Sequence, residues 1–418
     1  MENITSDKVA SNVYVVFKPF LLTNKIFGIT IRRHRDKSAR LYSDYVLSVV
    51  WIIFLTSSLI IITYYSYLEV GPDKCSNKTS GTFSKPLNEK FEIPSNEENA
   101  NVTDVSVEFE ILDIMFTVVV YLLSAVSILM TSFVYRNTFV DLLETFSRVD
   151  ALLYSNLYIN YLLNKSNQHI NIIQIFMLIP YIFVAFLLDV FDDCPVFCAK
   201  CLSVHITSKI AILIISFNIL QFCNLVILLK NRLKILNTFL QNYYIPMDLE
   251  RRTQINIFSQ INSSQIDTIR AVFIYLYDIA NMINSIFGLF ILIFTSLSLI
   301  NIITAIGWFI EKYDVLLKFL QTFYWCFYSV VTLVAISVSC EKAVRECVDS
   351  SILVQKILVN RDLEHDITFR LDKLFVQLNS MKIQFTACGM FNIDLQYLSW
   401  ILGVNITYIL FIFQSKSN

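Results

Sequence analysis

Cys194, Cys198 and Cys201, with His205 four residues further on, have a spacing that could ligate zinc or, with Cys75 as a partner, close disulfides. The cluster sits in a short stretch between two long apolar runs. Outside a cell such a stretch favours oxidation over metal capture. Disulfide pairing is therefore the first reading, free thiols the second and zinc the third. Cys223, Cys326, Cys340, Cys347 and Cys388 read as packing or cytosolic thiols. The four histidines, His34, His169, His205 and His365, form no His-Glu-x-x-His, and Gly-x-Ser-x-Gly and phosphate-binding glycine loops are absent. The chain is not expected to be an enzyme or to hold a metal or cofactor. Asp362, Glu364 and Asp366 read as a solvated helix end.

A second group of polar residues lies at the ends of apolar runs: Asp113, Asp189, His205, Lys209, Lys318 and Asp394. An ionisable group at the centre of a spanning helix costs roughly 2.5 to 3.5 kcal/mol on insertion scales, so ends are where such groups can sit. The first five share a level with Tyr64, Tyr65, Tyr181, Asn301, Thr304, Gln321, Tyr324, Trp325 and Tyr328. An aromatic-walled cavity with a few polar groups holds small polar or amphipathic ligands. Candidate ligand-binding residues are Gln321, Trp325, Tyr328, Tyr324, Asn301, Thr304, Asp189 and His205. The competing reading of the same residues is an interfacial aromatic belt with snorkelling charges.

The elements that must position these groups are membrane helices. The chain has 418 residues, of which 55% are hydrophobic and only 16% charged, where soluble domains carry roughly 25% charged residues. Seven stretches reach the roughly 20 apolar residues needed to cross a hydrocarbon core. They run approximately Val46–Leu68, Ile111–Val134, Ile170–Val190, Leu202–Leu229, Ile279–Ile306, Val315–Ser339 and Met390–Phe413. None alternates like a barrel strand, so the expected class is an all-α membrane protein. The first apolar run, Val13–Leu22, is short and interrupted by Lys18 and Pro19, which argues against a cleaved leader. A net charge of −1 gives no reason to expect nucleic acid as a partner.

Orientation follows from the loops. With the N-terminus in the cytosol, 24 of the 33 Lys and Arg fall on the cytosolic side, including the run Arg32, Arg33, Arg35, Lys37, Arg40. The first external loop, Glu69–Glu110, holds nine Asp and Glu against four Lys, and two glycosylation sequons at Asn77 and Asn101. The C-terminus then lies outside, the inverse of G-protein-coupled receptors. Asp-Arg-Tyr after span three and Asn-Pro-x-x-Tyr in span seven are absent as well. A receptor signalling through G proteins is the main alternative, and it predicts an external N-terminus.

Two cytosolic loops keep helical periodicity. Leu233, Leu236 and Leu240 continue span four, and Ile266, Ile269, Phe273 and Leu276 lead into span five. Leu353 and Ile357, then Leu371, Leu374, Phe375 and Leu378, lie between spans six and seven. The expected organisation is a cytosolic N-terminal segment (1–45), spans one to four (46–229), an anchor segment (230–284), spans five and six (285–339), a second anchor segment (340–389), span seven (390–414) and an external tail (415–418).

The C-terminus carries a family signature. Thr407-Tyr-Ile-Leu-Phe-Ile-Phe-Gln414 resembles the Thr-Tyr, five hydrophobics, Gln-Phe ending of insect gustatory receptors, and Ala387-Cys-Gly-Met-Phe-Asn-Ile-Asp394 resembles the approach to their last helix. Lys25-Ile-Phe-Gly28 and Asn284-Ser-Ile-Phe-Gly288 are further matches, while Ser415 replaces the terminal Phe that the family associates with its gate. The resemblance implies a tastant-gated, non-selective cation channel in the plasma membrane of chemosensory neurons. It would be a homotetramer or a heteromer with other gustatory receptors, surrounded by membrane lipid and opened by a sugar or bitter compound. It also implies that helix seven lines the pore, that the inner extensions form the anchor, and that the outer half of the other helices binds ligand. An odorant-receptor-type channel subunit is a further alternative.

At 100° per residue, Thr407 and Gly403 lie about 20° from Gln414, Leu410 about 40° and Phe411 about 60°, whereas Asn405 lies about 180° away. Gln414, Thr407, Leu410, Phe411 and Gly403, with Ser415, are therefore the candidate pore-lining residues. They combine groups that replace ion hydration with an apolar constriction that can dewet. Interhelical hydrogen bonding is the competing role for Thr407 and Gln414.

Overall fold

The computed structural model describes residues 46, 48–60, 115, 117–157, 178, 180–190, 199–244, 263–311, 316–360 and 364–417. The N-terminal segment, the sequons at Asn77 and Asn101, and the side chains of Cys75, Cys194, Cys198 and Cys201 lie outside the described residues. The described elements are almost all helical. They are α1 (Ser48–Ile60), α2 (Thr117–Val134), α3 (Arg136–Leu157), α4 (Pro180–Val190), α5 (Ala199–Tyr244), α6 (Ser263–Glu311), α7 (Leu316–Asn360) and α8 (His365–Ser380). The two-residue strands β1 (Thr386–Ala387) and β2 (Phe391–Asn392) follow, and α9 (Leu395–Ser417) closes the chain.

Among the described residues, four stretches are long and apolar enough to cross a membrane: Thr117–Val134, His205–Gln241, Ser263–Ile306 and Phe319–Val359. The shorter apolar helices Ser48–Ile60, Pro180–Val190 and Leu395–Phe411 fall inside the remaining expected spans. At 1.5 Å per residue, α5, α6 and α7 are each about 70 Å long, roughly twice a hydrocarbon core. α5 and α7 contain no Pro or Gly to stop them. Their far ends are held by burial: Leu233, Leu236, Leu240, Ile266, Ile269, Phe273, Leu276 and Ile357 are in the core, together with Leu371, Leu374 and Leu378 of α8.

Polar pairs add register at that end. Arg232 forks onto Asp150 with bonds of 3.0 and 2.8 Å, and its guanidinium lies 5.5 Å from the Phe146 ring centre. The Asn237 amide donates to the Glu346 carbonyl at 2.7 Å and to its carboxylate at 3.0 Å. Arg270 donates to Gln377 at 2.7 Å, tying α6 to α8.

The structure differs from the sequence reading in two places. Residues expected as the second loop contain α3, whose Phe139, Leu142, Leu143, Phe146, Val149 and Leu153 are buried at helical spacing. α2 passes into it through a π turn, Met130–Val134, closed by the Tyr135 N–H on the Met130 carbonyl at 2.8 Å. Span seven also does not begin at Met390. Residues 386–392 form an antiparallel hairpin pairing Thr386 with Asn392 and Ala387 with Phe391. Its turn has Cys388 at φ 52° and Gly389 at φ 73°, with Met390 N–H on the Ala387 carbonyl at 3.0 Å. Two successive left-handed residues make the turn type that matches strand twist. Helix α9 starts only after Asp394, whose carboxylate caps the Tyr397 N–H at 2.7 Å.

Two family-like motifs a hundred residues apart meet at this hairpin. The Asn284 amide donates to the Gln384 carbonyl at 2.7 Å, and its oxygen accepts the Thr386 N–H at 3.2 Å. One turn later, Gly288 lies beneath the hairpin turn, and an added Cβ would meet Cys388 N at 3.2 Å and Thr386 O at 3.5 Å. Both neighbours are backbone, so Gly288→Ala is expected to destabilise by about 1–3 kcal/mol in thermal unfolding of the purified chain. Gly403→Ala has nothing within 4 Å of the new methyl and is expected to be neutral or to stabilise by up to about 1 kcal/mol.

Candidate functional site: a buried ion pair beside an aromatic cleft

The end of the bundle opposite the Arg232–Asp150 pair gathers most of the expected binding residues. Gln321, Tyr324, Trp325 and Tyr328 recur at i, i+3, i+4 and i+7 along α7, so they form one stripe. Against it lies α4, running antiparallel. Tyr181 stacks on Tyr324 with ring centres 4.4 Å apart and on Tyr328 at 5.9 Å. Each hydroxyl of the Tyr181–Tyr324 pair donates to the other's backbone carbonyl, the Tyr181 bond at 3.4 Å. Two turns on, Asp189 accepts the Gln321 amide at 3.1 Å and forms a salt bridge with Lys209 of α5.

That pair is buried, its side chains only 7% and 10% exposed. The Lys209 ammonium also sits 4.3 Å from the centre of the Trp325 ring. Carboxylate, ammonium, amide and indole thus satisfy one another, the condition under which buried charge is tolerated.

Trp325 touches both this ion pair and a narrow cleft with free space of about 30 Å3, room for a water or two. The cleft wall comes from α2 (Val120, Leu123), α5 (Ile212, Ile215), α6 (Phe294, Leu297, Ser298, Asn301) and α7 (Trp325, Tyr328, Ser329). Trp325 and Tyr328 meet edge to face at 6.1 Å. The Tyr328 hydroxyl shares a 2.7 Å hydrogen bond with Ser216. Asn301 donates to Ser329 at 2.7 Å and to the Trp325 carbonyl at 3.3 Å, bracing α6 against α7.

Of the eight candidates, Asn301, Trp325 and Tyr328 line the cleft, while Gln321, Asp189 and Tyr324 form the adjoining polar and aromatic cluster. Thr304 donates to its own helix at Ile300, and half-buried His205 lies one turn before Lys209; neither lines the cleft. Sequence reading missed Ser216, Ser298 and Ser329. Ser298 stands three residues before Asn301 on the same helix face, which was the available signal. The described cysteines, Cys223, Cys326, Cys340, Cys347 and Cys388, are free. No cluster able to hold a metal occurs among the described residues.

α9 is two-faced. Asn405 is buried at 4% exposure and donates to the Ile401 carbonyl at 2.8 Å, and its oxygen has no partner among the described residues. Gly403, Thr407, Leu410, Phe411 and Gln414 are exposed. The Thr407 hydroxyl donates back to the Gly403 carbonyl at 2.9 Å.

Long apolar helices of this length and composition define a multi-pass membrane protein. A family model described as 7tm chemosensory receptor matches residues 112–418, and the chain belongs to that family. No curated protein matches the chain in sequence. Among solved structures it is similar to the insect olfactory receptor OR5 from Machilis hrabei, with a TM-score of 0.64 and 11% identity over 96% of this chain and 97% of that one. The same receptor in complex with eugenol gives 0.63 and 11% over 99% and 100%. At that identity the likeness is one of fold.

Proposed function

We propose that the chain is a gustatory receptor, a tastant-gated, non-selective cation channel of the plasma membrane of chemosensory neurons. Its N-terminus lies in the cytosol and its C-terminus outside. Four subunits, identical or mixed with other gustatory receptors, surround a pore lined by α9.

The observation that carries the reading is the asymmetry of α9. The signature stripe of Gly403, Thr407, Leu410, Phe411 and Gln414 is exposed on the single subunit, while Asn405 packs inward. A stripe of small, polar and apolar residues turned away from its own bundle suits an ion path with a dewetting constriction. Further support comes from exposed apolar side chains along the inner ends of α7 (Val348, Ile352, Val359) and α8 (Phe369, Val376), which suit contacts between subunits. The aromatic cleft is the tastant site in this reading, and the ion pair beside it fixes how α4, α5 and α7 meet.

The test is current recording from this subunit expressed alone, against a panel of sugars and bitter compounds. A tastant-evoked inward current is expected, and Gln414→Glu is expected to change relative cation permeability severalfold. Asn405→Leu is expected to leave permeability unchanged and to be neutral or stabilising, because it removes a buried carbonyl that has no partner among the described residues. Surface-delivered receptor that binds a tastant and passes no current contradicts the channel. The fold likeness to olfactory receptor OR5 favours a second reading, an odorant-type channel subunit, for which volatile compounds rather than contact tastants evoke the current.

A further inference from the structure

We infer that Asn284 is a positioning residue for α9: its side-chain amide pairs with the strand that leads into the hairpin as a neighbouring strand would, and so fixes where α9 starts and which face it turns to the ion path. The inference rests on the channel reading above and adds how the pore helix of that channel is held.

An amide side chain carries a donor and an acceptor side by side, as a peptide unit does. Asn284 presents both to one stretch of backbone, giving its N–H to the Gln384 carbonyl at 2.7 Å and taking the Thr386 N–H on its oxygen at 3.2 Å. Backbone groups of successive strand residues point to alternate edges. The Phe385 carbonyl is turned to the β2 side, where it accepts the Ile393 N–H at 2.8 Å, so the Gln384 carbonyl and Thr386 N–H lie on the opposite edge. That edge faces α6. Gly288, one turn after Asn284, lies against the next two groups along it, Thr386 O and Cys388 N. A carboxylate at position 284 would lack the donor and oppose the Gln384 carbonyl. An alanine would reach neither group.

The hairpin needs such a fastening. Its strands are two residues each, and a hairpin of that size does not hold itself together in water. What it holds is the start of α9. Only Ile393 and Asp394 separate β2 from the helix, Asp394 caps the Tyr397 N–H, and Phe391 stacks on Tyr397, which stacks on Trp400 at 6.1 Å. Further along, Leu402, Ile406, Leu410 and Phe411 are exposed on the subunit, so α9 is fastened chiefly where it begins. A one-residue slip at the hairpin would turn α9 by about 100° and carry Thr407 and Gln414 off the ion path. With the clamp gone, α9 samples several settings in place of one, and some of them conduct without tastant.

The experiment compares the unaltered chain with Asn284→Ala, Asn284→Asp and Asn281→Ala, the last at an exposed position one turn earlier on α6. Hydrogen exchange on the full chain in lipid nanodiscs reads the fastening. Both Asn284 variants are expected to quicken exchange over residues 384–397 by about tenfold, with the middle of α5 still protected. Current recorded without tastant, divided by the amount of receptor at the cell surface, reads the positioning. A loss of folded receptor lowers the surface amount and leaves this ratio unmoved, whereas a misplaced α9 is expected to raise it about threefold or more in both Asn284 variants. Asn281→Ala is expected to change neither readout. Unchanged exchange in Asn284→Ala overturns the inference, and so does quickened exchange with no rise in tastant-free current per receptor. The tastant panel on the unaltered chain decides the channel reading separately: a chain that passes no current there while its hairpin loosens in the variants refutes the channel and the gating role together, and keeps the fastening of the hairpin by Asn284.

Discussion

Lys209→Met is expected to cost the folded receptor about 3–5 kcal/mol, because among the described residues it leaves the buried Asp189 carboxylate only the Gln321 amide as a partner. Asp189→Leu should also destabilise, because it removes the carboxylate of a buried ion pair. The double variant is the diagnostic one. With both charges replaced by apolar groups of similar size, the loss is expected to fall well below the sum of the two single losses. Thermal unfolding of detergent-solubilised receptor gives the four corners of the cycle. Additive losses would mean that the two side chains do not pair in the folded protein. The cost also reaches the cleft, since the Lys209 ammonium sits on the ring of Trp325, which forms part of its wall.

Phe385→Ala is expected to cost about 3–5 kcal/mol and to loosen the start of α9 selectively. Phe385 is 1% exposed and meets Phe222 of α5 edge to face at 6.3 Å, and Phe222 in turn meets Phe287 of α6 at 5.7 Å. Truncation of a fully buried aromatic loses both transfer energy and packing. The Phe385 carbonyl also accepts the Ile393 N–H at 2.8 Å, so displacing this residue opens the hairpin that precedes α9. Hydrogen exchange should quicken over residues 385–397 while the middle of α6 stays protected. Phe391→Ala, which removes a half-buried ring stacked on Tyr397 at 4.4 Å, is expected to cost roughly a third as much. A loss below about 1 kcal/mol for Phe385→Ala would mean that the hairpin is not fastened through this ring.

The long helices were legible because length and apolarity are local properties, and so were their inner extensions, whose Leu233, Leu236 and Leu240 keep helical spacing. α3 was missed although Phe139, Leu142, Leu143, Phe146 and Val149 keep helical spacing, because charged residues between them give it a mean polarity that resembles a loop. The hairpin was hidden for the opposite reason. Met390, Phe391 and Ile393 extend the apolar run of α9, and only the left-handed pair Cys388 and Gly389 marks the break. Pairings across the bundle were out of reach. That Asp189 and Lys209 sit near facing helix ends follows from sequence, but that they touch each other and Gln321 depends on how three helices are rotated. The same limit applies to Asn284, whose two bonds to the hairpin span a hundred residues.

Access to Gln414 from outside, read as current, tests the proposed channel most directly. In cells expressing the Gln414→Cys receptor, a membrane-impermeant thiol reagent applied to the outer face should block the tastant-evoked current, while the unaltered receptor keeps its current under the same treatment. A cysteine at that position that reacts only from the cytosolic side, or reacts from outside and leaves the current untouched, would contradict the account.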